Sequence, residues 1–211
     1  MLDKIFQDKK FLSSYVLSIL FLIFSLFINY YAGTYATNRE SNPVTDIILS
    51  NTRAYDVDGI FIYGTIIFWV VVAVLLFQNA RFVPFTLKSI SLFILIRSAF
   101  ITMTHIGQFP ERTTIASNFI LNKISFGGDL FFSGHTGLPF LLALIFWKSK
   151  FWRYIFLASS IIFGTSVILG HIHYTIDVTS AFFITYGIYH LSQLLFSKDE
   201  TVFKSSFVPT S

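Results

Sequence analysis

FLSSYVLSILFLIFSLFINYY, residues 11–31, contains no charged side chain. A run of about 18 or more apolar residues can cross the hydrocarbon core of a bilayer as a helix, so this stretch decides the class of the protein. A basic leader with Lys4, Lys9 and Lys10 precedes it, which raises the question of a signal peptide. A signal core spans only about 7–15 residues and ends at a small-x-small cleavage site. This run is longer and no such site follows it, so it reads as a retained helix.

Five further apolar stretches follow, at about 60–77, 89–106, 136–147, 154–169 and 178–196. Six spans of about 20 residues would use about 120 positions of a chain of 211. The remainder is too small for a separate soluble domain. The expected architecture is therefore an all-α integral membrane protein, a six-transmembrane-helix bundle in one domain over 1–211, with a catalytic core at about 40–190 and a polar, frayed tail over 198–211. Hydrophobic residues make up 54% of the chain and charged ones 12%, against roughly 25% charged in soluble domains. That composition argues against a soluble enzyme, a disordered chain and a nucleic-acid-binding protein. The net charge of +4 belongs to residues flanking the spans, where the anionic membrane surface is the natural partner. There are no cysteines, which excludes disulfides, thiolate metal sites and a cysteine nucleophile.

The loops differ in charge. Lys4, Lys9, Lys10, Arg81, Lys88, Lys148, Lys150, Arg153, Lys198 and Lys204 fall on one side; Arg39, Arg53, Arg112 and Lys123 fall on the other. The positive-inside rule then predicts cytoplasmic termini and two long loops on the non-cytoplasmic side, in a plasma, inner or Golgi-like membrane. In the first of these loops, Asn42-Pro43 reads as a helix start, with Val44, Ile47 and Ile48 forming a short interfacial amphipathic helix.

The outer ends of the last three spans hold most of the chemistry. Ser133-Gly134-His135 opens the fourth span, where unpaired backbone N–H groups and the positive end of the helix dipole make a seat for a phosphate oxyanion. His135 would stand beside the bound anion. His173 and Asp177 are four residues apart and share a face if the sixth span begins near His173. A carboxylate there accepts the Nδ1 proton and leaves Nε2 free to attack. Nucleophile, orienter, acid and anion seat are then all present. Two other readings stay open: a metal site using His171, His173 and Asp177, which zinc or iron would complete with three or four ligands, and a non-catalytic carrier or scaffold. His105 and His190 read as structural.

Asp129 suits either a helix-start acid or a group that tunes His135 or binds a cationic head group. Asp46 admits the same alternatives. Arg97 lies inside the third span, where a cation costs about 2.5–3.5 kcal/mol on insertion scales, and no span contains an acid to pair with it. It would bond backbone carbonyls or a lipid phosphate, or snorkel. Arg112 and Lys123 in the second outer loop are candidate phosphate contacts.

Taken together, Ser133-Gly134-His135 and His173-x3-Asp177 resemble the type 2 phosphatidic acid phosphatase (PAP2) superfamily, and its sphingomyelin synthase-like branch in particular. That branch has Gly-Asp-x3-Ser-Gly-His-Thr, matched by Gly128, Asp129, Ser133, Gly134, His135 and Thr136, and His-Tyr-x-x-Asp-Val, matched by His173, Tyr174, Asp177 and Val178. A Pro-x-x-Asp motif is echoed by Pro43 and Asp46, and an Arg- and Thr-rich segment by Arg97, Thr102, Thr104 and Pro110. The resemblance covers about 40–185. Gly127 replaces a cysteine found in the animal enzymes, no Lys-x6-Arg-Pro string occurs, and Ser166-Val167 stands where the phosphatase branch has Ser-Arg. The resemblance implies a phosphotransferase using a His135/His173/Asp177 triad and a phosphohistidine intermediate. Ser133, Gly134, Asp129, Tyr174, Asp46, Arg97 and Arg112 would bind substrate. It implies no cofactor or metal, a phospholipid donor, a lipid or water acceptor, and room for a homo-oligomer. The alternative within the superfamily is a lipid phosphate phosphatase or phospholipase C-type hydrolase.

Overall fold

The computed structural model describes residues 7–112 and 128–207; Lys4, Lys123 and Gly127 lie outside them. Among the described residues the chain is helix and loop without a strand. The main helices are α1 (Lys9–Asn38), α2 (Thr65–Gln78), α3 (Val83–Met103), α4 (Gly134–Ile145), α5 (Lys150–Leu169), α6 (Thr175–Leu195) and α7 (Ser197–Ser205). A π-helical turn, Gly59–Gly64, leads into α2.

Asp8 starts α1 by accepting the Lys10 N–H at 2.9 Å. Its buried positions Phe11, Ser18, Ser25 and Ala32 recur every seventh residue and continue through Gly33 and Ala36. This seam of mostly small residues lets α1 lie along α3. Lipid offers no hydrophobic incentive for helices to associate, so close backbone packing over small side chains supplies it instead. Leu20, Ile23, Phe24 and Phe27 are left exposed on the remaining faces. Asn79 caps the turn that opens α3 by accepting the Arg81 N–H, and Pro84 occupies the first helical turn, where its missing N–H costs nothing. That places the start of α3 before the expected residue 89.

Among the described residues four helical stretches are long and apolar enough to cross a membrane: Lys9–Asn38, Gly59–Gln78, Ala80–Met103 and Lys150–Leu169. These carry the first, second, third and fifth expected spans. α4 has 12 residues, about 18 Å at 1.5 Å per residue, well short of a bilayer core. α6 has 21 residues, but Asp177, His190, Gln193 and several hydroxyls dilute its apolar character.

α4 packs between α5 and α6. Gly137 permits this, because a Cβ there would come within 2.6 Å of the Phe93 ring and 2.8 Å of Thr185 Oγ1. Ser160 of α5 donates to the Thr136 carbonyl at 2.7 Å. Phenylalanines fill the core: Phe93, Phe132, Phe146 and Phe156 are fully buried.

Two expectations are corrected. The helix predicted from Asn42-Pro43 is absent: Asp46 Oδ1 takes the N–H groups of Ile48 and Leu49, so the turn starts there and continues only as the short 3₁₀ helix Leu49–Asn51. The tail is not frayed from residue 198, because α7 folds back and buries Phe203 against Phe82, Phe85 and Phe146. Asp199 pairs with Lys88 at 2.6 Å, and Ser14 bonds both. This cluster ties α7 to α1 and α3.

Gly137→Ala should overpack the α4–α6 contact and lower stability by about 1–3 kcal/mol. Gly59→Ala, where a Cβ meets nothing within 4 Å, should leave the melting temperature in lipid nanodiscs near the wild-type value.

Candidate active site

The site is assembled from two helix starts. At the first, Asp177 sits in the opening turn of α6 and accepts the Tyr174 N–H at 2.9 Å through Oδ2. The same oxygen lies 3.4 Å from His173 Nδ1. This is long for a hydrogen bond, but catalytic contacts commonly tighten only when substrate binds. His173 is 5% exposed and Asp177 0%. The four-residue spacing suggests a shared helix face, but α6 starts only at Thr175; the two side chains approach through the turn that Asp177 caps at Tyr174.

At the second, Ser133 caps α4: its Oγ accepts the Thr136 N–H at 3.4 Å. The N–H groups of Gly134 and His135 fall in the first turn, where the helix has no acceptor for them. Ser133 N–H donates to the Asp177 carbonyl at 3.0 Å, which joins the two helix starts directly. His135 lies within electrostatic range of His173, Arg97 and Asp129. Its ring centroid is 4.4 Å from that of Phe61 and 6.5 Å from that of Phe163.

Arg97 holds this second start in place. Its Nη1 is 2.6 Å from Asp129 Oδ1. Nε donates to the Phe132 carbonyl at 2.6 Å and Nη2 to the Asp129 carbonyl at 3.1 Å. An acid partner thus exists just ahead of α4, outside the spans, where a search confined to the spans misses it. Gly134 lies over the guanidinium, with its Cβ direction 3.5 Å from Arg97 Nε. Gly128 is needed upstream, since a Cβ there would strike the Ala36 carbonyl at 2.7 Å.

Four other candidates are engaged elsewhere. Asp46 receives the Thr175 N–H and hydroxyl, each at 2.7 Å, and so braces the loop between α1 and the π-helical turn against α6. Tyr174 is buried; its hydroxyl donates to the Gly107 carbonyl and accepts the Val44 N–H. Arg112 donates to Gln108, which in turn bonds Glu40. His171 adopts a left-handed backbone with φ 53°, and its Nε2 lies 3.3 Å from Thr52 Oγ1. Among the described residues no group of three or more His, Cys, Asp or Glu is placed to hold a metal ion. Nothing in the sequence pattern marks Phe61, Thr52 or Thr175 as neighbours of these groups.

Residues 127–194 match the family model for the PAP2 superfamily C-terminal region. The match supports membership of the PAP2 superfamily. It runs from just before Asp129 into α6 and so contains Ser133, His135, His173 and Asp177. PAP2 superfamily members are phosphoesterases and phosphotransferases, which supports an enzyme. No curated protein and no solved structure matches the chain.

Asp129→Ala should strand the Arg97 guanidinium among apolar side chains and cost about 3–5 kcal/mol, as breaking a buried pair does; thermal unfolding in nanodiscs reads this directly. Asp46 has a different signature. Burial alone would raise its carboxyl, but the Leu49 N–H, the hydroxyl and N–H of Thr175 and the Ile48 N–H together hold it below 3.8. A depressed folded pKa gives stability that is complete above the unfolded value and is lost as pH falls through the folded one. The hydrogen-exchange protection factor of the Thr175 amide, corrected for the intrinsic rate at each pH, should therefore be flat through neutral pH and fall only below about pH 4. Asp46→Asn should remove this acid step.

Proposed function

We propose that the protein is a membrane-embedded lipid phosphotransferase that moves a phospho-head-group from a glycerophospholipid to a lipid hydroxyl, such as that of ceramide, through a phosphohistidine on His173. The observation that carries the reading is the buried His173–Asp177 pair, joined to the anion-binding start of α4 by the Ser133–Asp177 hydrogen bond.

His173 Nε2 attacks phosphorus. Asp177 fixes the Nδ1–H tautomer and stabilises the positive charge that develops on the ring. The free N–H groups at the start of α4 receive the developing charge on the phosphoryl oxygens, and Arg97 lies close behind Gly134. His135 protonates the departing diacylglycerol oxygen and then takes the proton of the incoming hydroxyl. Asp46, Tyr174 and Asp129 act by holding the loops and helix starts in register, through the bonds described above.

The proposed topology completes six spans with the short α4 and the polar α6. Termini lie in the cytoplasm and the site opens on the other face, following the distribution of Lys and Arg. The single-domain organisation over 1–211 belongs to the same reading.

The test uses purified protein in vesicles containing labelled ceramide and several glycerophospholipid donors, with both lipid and water-soluble products read by mass spectrometry. His173→Ala should abolish turnover and the acid-labile phosphoprotein. Asp177→Asn should lower the rate by about 10²–10⁴, the range seen when a histidine loses its orienting carboxylate. A chelator should leave the rate unchanged. A His173-dependent water-soluble phosphate product with unmodified ceramide would instead assign the protein to the hydrolases of the superfamily.

A further inference from the structure

Phe61 is an apolar side chain laid directly on a catalytic candidate. Its ring centroid is 4.4 Å from that of His135, with the planes inclined by 34°. It also packs against the cluster of Val57, Val167, Ile172 and Val178, which adjoins His173 and Asp177 in the chain. One phenylalanine therefore touches the elements that carry both histidines.

The backbone beneath it is unusual. Phe61 lies in the π-helical turn Gly59–Gly64, a form that occurs mostly as single turns and often at functional sites. Its N–H reaches the Val57 carbonyl at 2.8 Å. Glycines bound the turn: Gly59 meets nothing within 4 Å, and Gly64 lets the turn approach Phe163. Ile60 and Tyr63 on either side of Phe61 are exposed, so the turn rests on the bundle by one face only.

We propose that Phe61 is the acceptor gate of the site: it covers His135 against water and admits a hydroxyl carried on an apolar chain. This rests on the phosphotransferase reading above. In the second half-reaction the acceptor oxygen bonds to phosphorus while the phosphorus–nitrogen bond breaks. The bonding pair returns to His173 Nε2, and the acceptor proton passes to His135. Water and a lipid alcohol are chemically equivalent in that step, so the choice between them depends on access. A lipid acceptor that displaces the ring replaces its contacts with its own chain; water displaces it with no such compensation. Excluding water also prevents loss of the intermediate by hydrolysis.

The test has two readouts. The first is the rate at which diethylpyrocarbonate modifies His135 in vesicle-reconstituted protein without donor lipid. Cleavage after lysine and arginine places His135 in residues 124–148 and His171 and His173 in residues 154–198, so mass spectrometry separates them. The second is the ratio of water-soluble phospho-head-group to transferred product during turnover. Phe61→Ala should raise His135 labelling several-fold and shift the ratio toward the soluble product by a similar factor. Phe61→Leu, which keeps an apolar cover, should lie near wild type. Phe77→Ala, exposed at the far end of α2, should change neither.

Unchanged His135 labelling in Phe61→Ala overturns the gate. Faster labelling with an unchanged product ratio overturns its role in choosing the acceptor. If labelling rises but wild-type protein forms no transferred product, the phosphotransferase reading fails and Phe61 remains only a cover for His135.

Discussion

The arrangement of the site depends on one buried ion pair. A guanidinium placed among apolar helices must be matched by charge and by carbonyl oxygens, or it destabilises the fold that contains it. Arg97 meets that demand with the Asp129 carboxylate and the carbonyls of Asp129 and Phe132. All three acceptors lie in the few residues that approach α4. Satisfying the charge therefore fixes where the backbone stands when it turns into Ser133-Gly134-His135, and the Ser133–Asp177 hydrogen bond carries that register across to α6.

A second set of constraints acts on the connecting loops. Asp46 ties the loop after α1 to Thr175, and Tyr174 ties that loop to Gly107 through Val44. Both residues belong to the motifs that carry the family resemblance, yet both spend their polar atoms on protein partners. Motif residues here divide into those whose reactive atoms face one another and those that keep them there. At the opposite end of the bundle, Ser14, Lys88 and Asp199 form a separate polar knot beneath a layer of phenylalanines, which keeps α7 from separating.

Much of this was legible in the sequence, for definable reasons. His173 and Asp177 are near in the chain, but His173 stands two residues ahead of α6, so the turn capped by Asp177, and not a shared helix face, brings the two close. Ser133 before a helical apolar run is a capping pattern, and it caps. Long apolar runs disclosed α1, α2, α3 and α5. The contacts that escaped are long-range or of ambiguous type. Arg97 and Asp129 are 32 residues apart, and only the cost of an unpaired cation hinted that a partner had to exist. Asn42-Pro43 has the right residues for a helix start, but Asp46 outcompetes it by capping the later turn with its own carboxylate. The polarity of the tail concealed Phe203, a single anchor that holds α7 in place. Phe61 looks like any lipid-facing phenylalanine until the π-helical turn rotates it over His135.

The brevity of α4 has a consequence for the membrane itself. A helix of about 18 Å cannot keep both its ends at the level of the head groups when the hydrocarbon core is about 30 Å thick. In the proposed topology, with Lys148 and Lys150 at one surface, the Ser133 end would lie roughly 12 Å inside the other unless the bilayer is pinched there. A depression of that depth draws polar head groups down toward the protein. In the proposed reaction the phosphorus of a neighbouring lipid would then descend to the level of His173 while its acyl chains stay in the leaflet, and no lipid would have to be extracted into water for its head group to react.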